Sequence, residues 1–380
     1  MEPTMDPSAP SNRFGQGTGL YGRLLLISPF FLWGTAMVAM KGILDRTEPL
    51  FLGGLRIVPA GLLVLAIAVA LGRPQPRSWR AWGWVLAFAL VDGAMFQGFL
   101  AQGLTRTTAG LGSVTIDSQP LAVALMARWL YGELIGPVGW LGLALGIGGI
   151  ALVGLPEGWW GQVLGTLATR SRLTDLVSGG DGWTLDLDHL AQFWSGIAAN
   201  GAWWMLLAAL SMAVGTVMMR PLSRQVDPIV ATGWHMILGG MPLLGLSAAT
   251  ELEQWQRLGL ADWGAIAYAT VLGSAASYGV FFYFASRGNL TSLSALTFLT
   301  PIFALVFGNL FLQETLSPVQ GAGVLLTLLS IYLVNQREAI AARFRPGPSA
   351  PPPAPAQTVP DLPNAPQESA PNHSSGHPLR

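Results

Sequence analysis

Three ionisable residues stand inside stretches that are otherwise apolar: Arg56, Asp92 and Asp117. An ionisable group at membrane depth costs at least a few kcal/mol, so each points toward function and toward the protein interior. One acid beside one base neutralises, whereas two acids beside one base leave a titratable group. The expectation is therefore that Arg56 pairs with Asp117 or Asp92, leaving the other carboxylate for a solute amine or a proton. A purely structural triad is the alternative. His235 lies beside Trp234 in another apolar stretch; a histidine there either relays protons or packs with a hydrogen bond. Gln97, Gln102, Tyr278 and Tyr283 offer hydrogen bonds to a ligand or between helices. Trp33, Phe281 and Phe282 are candidate walls of a cavity. Glu133 and Glu314 resemble a carboxylate pair but fall at the ends of apolar runs on opposite sides of a membrane, so they cannot act together on one bond.

The elements that position these residues are membrane helices. Hydrophobic residues make up 51% of the 380 and charged residues 11%, against about 25% charged in ordinary soluble domains. The deficit leaves no charged shell for a soluble protein. Net charge is zero, which argues against nucleic-acid binding through a basic surface. Cysteine is absent, which excludes disulfides and thiolate chemistry, and the four histidines give no metal-ligand pattern. No cofactor or metal is expected. No nucleophile elbow, zinc-helix, Walker or dinucleotide motif is present, so enzyme chemistry is not expected beyond the bare idea of two intramembrane aspartates.

A spanning helix needs about 20 apolar residues. Suitable runs cover approximately 24–44, 49–71, 81–104, 108–130 and 135–155, then 200–220, 228–249, 262–285, 290–312 and 317–336. Counting about 1.5 Å per residue puts Arg56, Asp92 and Asp117 at similar depth. The polar and proline-rich ends, 1–23 and 337–380, are expected to be cytoplasmic tails, the second one disordered. Residues 157–199 form a long connection between 24–156 and 200–336.

Those two segments repeat each other. At an offset of 181, Trp82-Gly83 falls on Trp263-Gly264, Pro120 on Pro301, Glu133 on Glu314, Pro137 on Pro318 and Leu152-Val153 on Leu333-Val334. The second span of each half needs 179, which sets Arg56 opposite His235. Five spans per copy is an odd number, so the second copy must cross the membrane in the opposite sense. Inverted repeats of this kind build secondary transporters with a site near the midplane. The reading is an all-α membrane protein of ten helices in two inverted five-helix repeats. Lys and Arg placement is twelve against six in favour of cytoplasmic termini, with 157–199 external. The glycines Gly142, Gly146, Gly149, Gly321 and Gly323 mark the fifth and tenth spans as close-packing faces, for the bundle or for a homodimer.

Several stretches resemble the drug/metabolite transporter superfamily, in particular its EamA-type branch. They are Leu32-Trp33-Gly34-Thr35 to Lys41-Gly42, Arg56, Gln119-Pro120 to Gly132-Glu133, Leu299-Thr300-Pro301 to Gln313-Glu314, and Gly273-Ser274 through Tyr278 to Phe281-Phe282-Tyr283. The resemblance covers roughly 24–336 and implies a metabolite carrier of the inner (plasma) membrane, commonly an exporter, with a cavity between spans one to four and six to nine. It implies a small-molecule partner and the lipid bilayer, while a proton is a further candidate partner through the carboxylates. A receptor or assembly protein acting through the 157–199 connection and the proline-rich tail is the alternative.

Overall fold

Proline and short polar side chains start the helices. In the computed structural model, which describes residues 20–154, 199–281, 296–336 and Ile340, α1 runs Leu20–Lys41, α2 Pro49–Ala70 and α3 Trp79–Arg106. The predicted fourth span is two helices, α4 (Ala109–Ile116) and α5 (Gln119–Tyr131), which meet at Asp117 and Ser118. Then come α6 (Pro137–Gly154), α7 (Gly201–Leu222), α8 (Pro228–Thr250), α9 (Leu260–Phe281), α10 (Leu299–Leu312) and α11 (Pro318–Asn335). Among the described residues there is no strand, and eight helices are long and apolar enough to cross a membrane. Pro49, Pro228 and Pro318 occupy first helical turns, where a missing N–H costs nothing. Ser78, Thr108, Asn200 and Asp227 accept from the first-turn amides of α3, α4, α7 and α8. Most of the two expected tails and of the 157–199 connection, together with Phe282 and Tyr283, lie outside the described residues.

The halves interlock. Along α2 and α8, Gly54 faces Leu244, Gly61 faces Met236 and Gly233 faces Leu65, so these helices run antiparallel. Likewise α6 and α11 are antiparallel, with Gly142 against Val334 and Gly149 against Gly323, and Ser330 donating to the Gly142 carbonyl at 2.6 Å. The glycines of these spans therefore pack the two halves together, with Gly321 left in open space. Helix α1 packs on α9 and α10, while α7 packs on α3, α4 and α5.

Carboxylates from one half cap helices of the other. Glu48 precedes α2 without a side-chain cap bond; instead Glu251, at the end of α8, accepts from Leu50 N and Phe51 N at 2.9 Å each. Glu314 accepts from Ala109 N at 2.7 Å and Gly110 N at 3.2 Å, and Glu133 pairs with Arg220 at 3.2 Å. Since, among the described residues, Glu251 alone supplies a side-chain acceptor for the α2 amides, Glu251→Ala is expected to cost about 1 kcal/mol. A lowered melting temperature in detergent would register it, and an unchanged one would count against this cap.

Two helical turns depart from α geometry. Ala89–Met95 of α3 and Val271–Ala276 of α9 are π-helical, and a shift of 181 superimposes them almost residue for residue. Such wide turns recur at functional sites.

Candidate functional site

The π turns and α2 converge on one buried polar cluster. Arg56, 6% exposed, sits on the face of α2 turned toward α8, α3 and α9. Its Nη1 donates to Ser274 Oγ at 2.9 Å, and its Nη2 donates to Gln97 Oε1. Ser274 belongs to the α9 π turn, and its own hydroxyl donates to the Ala269 carbonyl at 2.9 Å, five residues back. The wide turn thus directs the hydroxyl proton at the backbone and turns an oxygen lone pair toward Arg56. Among the described residues Arg56 Nε has no hydrogen-bond partner.

The second group lies in the α3 π turn. Asp92 Oδ2 stands 3.3 Å from His235 Nε2 of α8. Phe88 covers the imidazole, with ring centroids 4.5 Å apart, and His235 Nδ1 is buried with no partner among the described residues. Asp92 also presses on α7 at Gly215, where an added Cβ would lie 2.5 Å from Oδ1. The carboxylate consequently ties the first half to two helices of the second. Tyr278 on α9 interacts electrostatically with both Asp92 and Arg56 and meets Trp33 of α1 edge-on at 5.5 Å. Phe281 lies 5.5 Å from Trp33, and Phe30 closes the same aromatic group at 5.7 Å.

The expected pairing of Arg56 with an aspartate is corrected by this arrangement. Among the described residues Arg56 forms no ion pair; its partners are the neutral Gln97 and Ser274. Asp92 is drawn to His235 because the π turn aims it at α8 and α7. Asp117 accepts from Ser113 Oγ of its own helix at 3.0 Å. It sits at the break between α4 and α5, and α4 packs mainly on α1, α7 and α10 rather than on α2. Similar depth did not bring the three charges together. Gln102 lies near the end of α3, where it accepts from Arg106 at 2.9 Å, away from Gln97. Tyr283 lies outside the described residues. Ser274 had no charge to draw notice, and its position beside Gly273, the repeat counterpart of Asp92, was the available signal.

Space around the cluster is small. Arg56, Gln97, Gly53, Leu52, Leu100 and Leu104 line a void of about 10 Å³, room for roughly one water. Toward the ends of α1, α3 and α10 it gives way to a cleft of about 680 Å³ bordered by Lys41, Asp45, Arg106, Thr108 and Glu314. Leu44 lines both.

Long apolar helices, two related halves and a polar cluster buried between them define a multi-pass membrane protein. The EamA-like transporter family matches residues 20–155 and again 199–336, and the chain belongs to that family. It is similar to an uncharacterized transporter of Synechocystis sp., 57% identical over 330 residues, which span 86% of this chain and 94% of that protein. A chloroplastic WAT1-related protein of Arabidopsis thaliana is 50% identical over 325 residues, 84% of this chain and 70% of that one. An uncharacterized transporter of Bacillus subtilis is 28% identical over 321 residues, covering 83% and 91%. A solved crystal structure, 17% identical, shares the fold with a TM-score of 0.54 over 85% of this chain and 98% of the other. Family and relatives are transporters rather than enzymes.

Proposed function

We propose that the chain is a secondary carrier that exports a small polar metabolite by alternating access, with its central site at Arg56, Asp92, Gln97, His235, Tyr278 and Trp33. The observation that carries this is the buried polar cluster formed jointly by α2 and α3 of the first half and α8 and α9 of the second. Charged groups at this depth are kept where they serve a pathway, and transporter sites sit where repeats meet. Asp117 at the α4–α5 break and Tyr283 belong to the same proposed site, and the Asp92–His235 pair is the candidate for proton coupling.

Ten spans in two inverted five-helix repeats, 24–156 and 200–336, complete the reading, with tails 1–23 and 337–380 cytoplasmic and 157–199 outside an inner (plasma) membrane. Support comes from helix directions. α2 and α8, which are repeat partners, lie antiparallel, as do α6 and α11. The packing of α1 on α9 is matched by that of α7 on α3, again a partner exchange. A two-fold axis in the membrane plane produces this pattern, and alternating access then amounts to one repeat set rocking against the other.

Uptake and efflux of pooled metabolites in reconstituted vesicles is the direct test, and absence of saturable flux for every solute class would overturn the carrier reading. Deleting 160–190 is expected to leave flux within about twofold of the full chain, because the segment is outside both matched domains. Flux lost by this deletion in folded protein would favour a receptor or assembly role instead.

A further inference from the structure

We propose that Arg56 holds the anionic group of the transported solute, which is therefore an organic monocarboxylate with an apolar body; the inference rests on the carrier reading above.

Among the described residues the buried guanidinium has no carboxylate within ion-pair distance: Asp92 lies against His235, and Asp117 bonds Ser113 of its own helix away from α2. Its own partners, Gln97 and Ser274, are neutral oxygens, and Nε, an inward donor, is unused. Removing a charge from water without an opposite charge is strongly unfavourable, and arginine, unlike lysine, does not escape by losing its proton. A site that keeps such a group is built for an anion supplied from outside. The guanidinium fork also matches the two oxygens of a carboxylate.

The approach to the site is polar. In the larger cleft Lys41 Nζ donates to the Leu104 carbonyl at 2.8 Å, and Arg106 donates to Gln102 and Thr105 while lying over Trp204 at 5.3 Å. Neither has a carboxylate within ion-pair distance among the described residues. The acids that border the cleft are Glu314, which accepts two backbone amides, and Asp45, 3.5 Å from Arg46, so the mouth carries both signs and the choice of charge falls to Arg56 behind it. Leu44 then separates the mouth from the void at Arg56.

Shape and charge select the class of anion: the fork of one guanidinium fits the two oxygens of one carboxylate, whereas a phosphate dianion brings twice the charge beside Asp92. A solute ammonium finds its natural partner, Asp92, already bonded to His235. Beside Tyr278 pack the rings of Trp33, Phe30 and Phe281, an apolar surrounding against which an apolar or aromatic body would rest once the site opens.

The test is thermal unfolding of the detergent-solubilised full chain titrated with benzoate, benzylamine, benzamide and phenyl phosphate, with acetate and hexanoate as a size series. The expected result is a saturable rise in Tm with benzoate or hexanoate, at concentrations at least about tenfold below any response to the amine, amide or phosphate. Equal or tighter binding of benzylamine or phenyl phosphate overturns the inference, and so does inertness of every carboxylate. Arg56→Gln is expected to melt at or above the ligand-free parent and to lose the benzoate response; Arg56→Lys should keep it about tenfold weaker, having charge without the fork. An Arg56→Gln protein that melts far below its parent, with a parent indifferent to benzoate, would mark Arg56 as structural. If Arg56→Gln does not fold, the Lys variant and the probe series on the unmodified chain decide alone. Vesicle flux separates the two levels: transport of a cation or neutral solute with carboxylates inert refutes this inference and leaves the carrier reading standing. Benzoate binding without flux of any solute overturns the carrier reading, and with it the transported solute, leaving Arg56 as a carboxylate-binding site alone.

Discussion

Gly239→Val is expected to yield little or no folded protein. In the π turn of α3, Gly93 lies directly on Gly239 of α8, so a Cβ at 239 would stand 2.4 Å from Gly93 Cα and 2.6 Å from the Ala89 carbonyl oxygen. Both obstacles are backbone, which no rotamer change can move. Overpacking usually costs about 1–3 kcal/mol and more where nothing yields. Here relief requires α8 to part from α3, which would also open the Asp92–His235 contact. Whole-domain stabilities are only about 5–15 kcal/mol, so a loss of this size is visible as aggregation on size-exclusion chromatography and a collapsed melting curve. Gly245→Ala is the control, on the same helix with nothing within 4 Å. It is expected to be neutral or slightly stabilising, by about 0.5–1 kcal/mol, as an alanine replaces a helical glycine. A Gly239→Val protein as stable as this control would mean that α3 and α8 do not meet as described.

Asp92→Asn is expected to reduce flux in vesicles about 10- to 100-fold while the protein stays folded. Asparagine keeps the shape and one hydrogen bond to His235 but not the charge, and a hydrogen bond to a charged group is worth about 1.5–3 kcal/mol, each 1.4 kcal/mol being tenfold in rate. His235→Gln should lose a comparable amount. Because Asp92 and His235 touch, the double variant should be no worse than the poorer single one, the mark of residues that act as a unit. Flux measured with and without an imposed pH gradient adds a second readout: the parent responds and the variants do not if the pair carries a proton. Unchanged flux in both Asp92→Asn and Asp117→Asn removes the intramembrane carboxylates from the mechanism.

Much of the helical layout was legible because its signals are one-dimensional. Apolar run length marks a membrane helix, proline and polar caps mark its start, and the 181-residue offset ties Glu133 to Glu314 and Pro120 to Pro301. Depth is also one-dimensional, and it placed Arg56, Asp92 and Asp117 near a common level. What depth does not carry is direction around each helix axis. That is set by which neighbour packs where, and by the π turns, for which Ala89–Met95 and Val271–Ala276 bear no compositional mark. A common level alone therefore suggested that Arg56 pairs with Asp117 or Asp92, when the π turn aims Asp92 at His235. The break at Asp117 was hidden for a related reason. The surrounding residues are apolar enough for a continuous span, and Pro120, in the first turn of α5, is the one mark of a new helix start.

The π turn in α3 is in effect a phase shifter. One extra residue in a turn rotates every later side chain of that helix by about 100° relative to an uninterrupted α-helix. Gln97, just past the turn, reaches Arg56 only with that rotation in place, while Val85 and Phe88, before it, keep their buried positions on the α8 side. A single-residue deletion such as removal of Ala94 would restore an ordinary helix without taking away any polar group of the site. It should leave the C-terminal half of α3 out of register with α2, so that Arg56 loses Gln97 although both residues are still present.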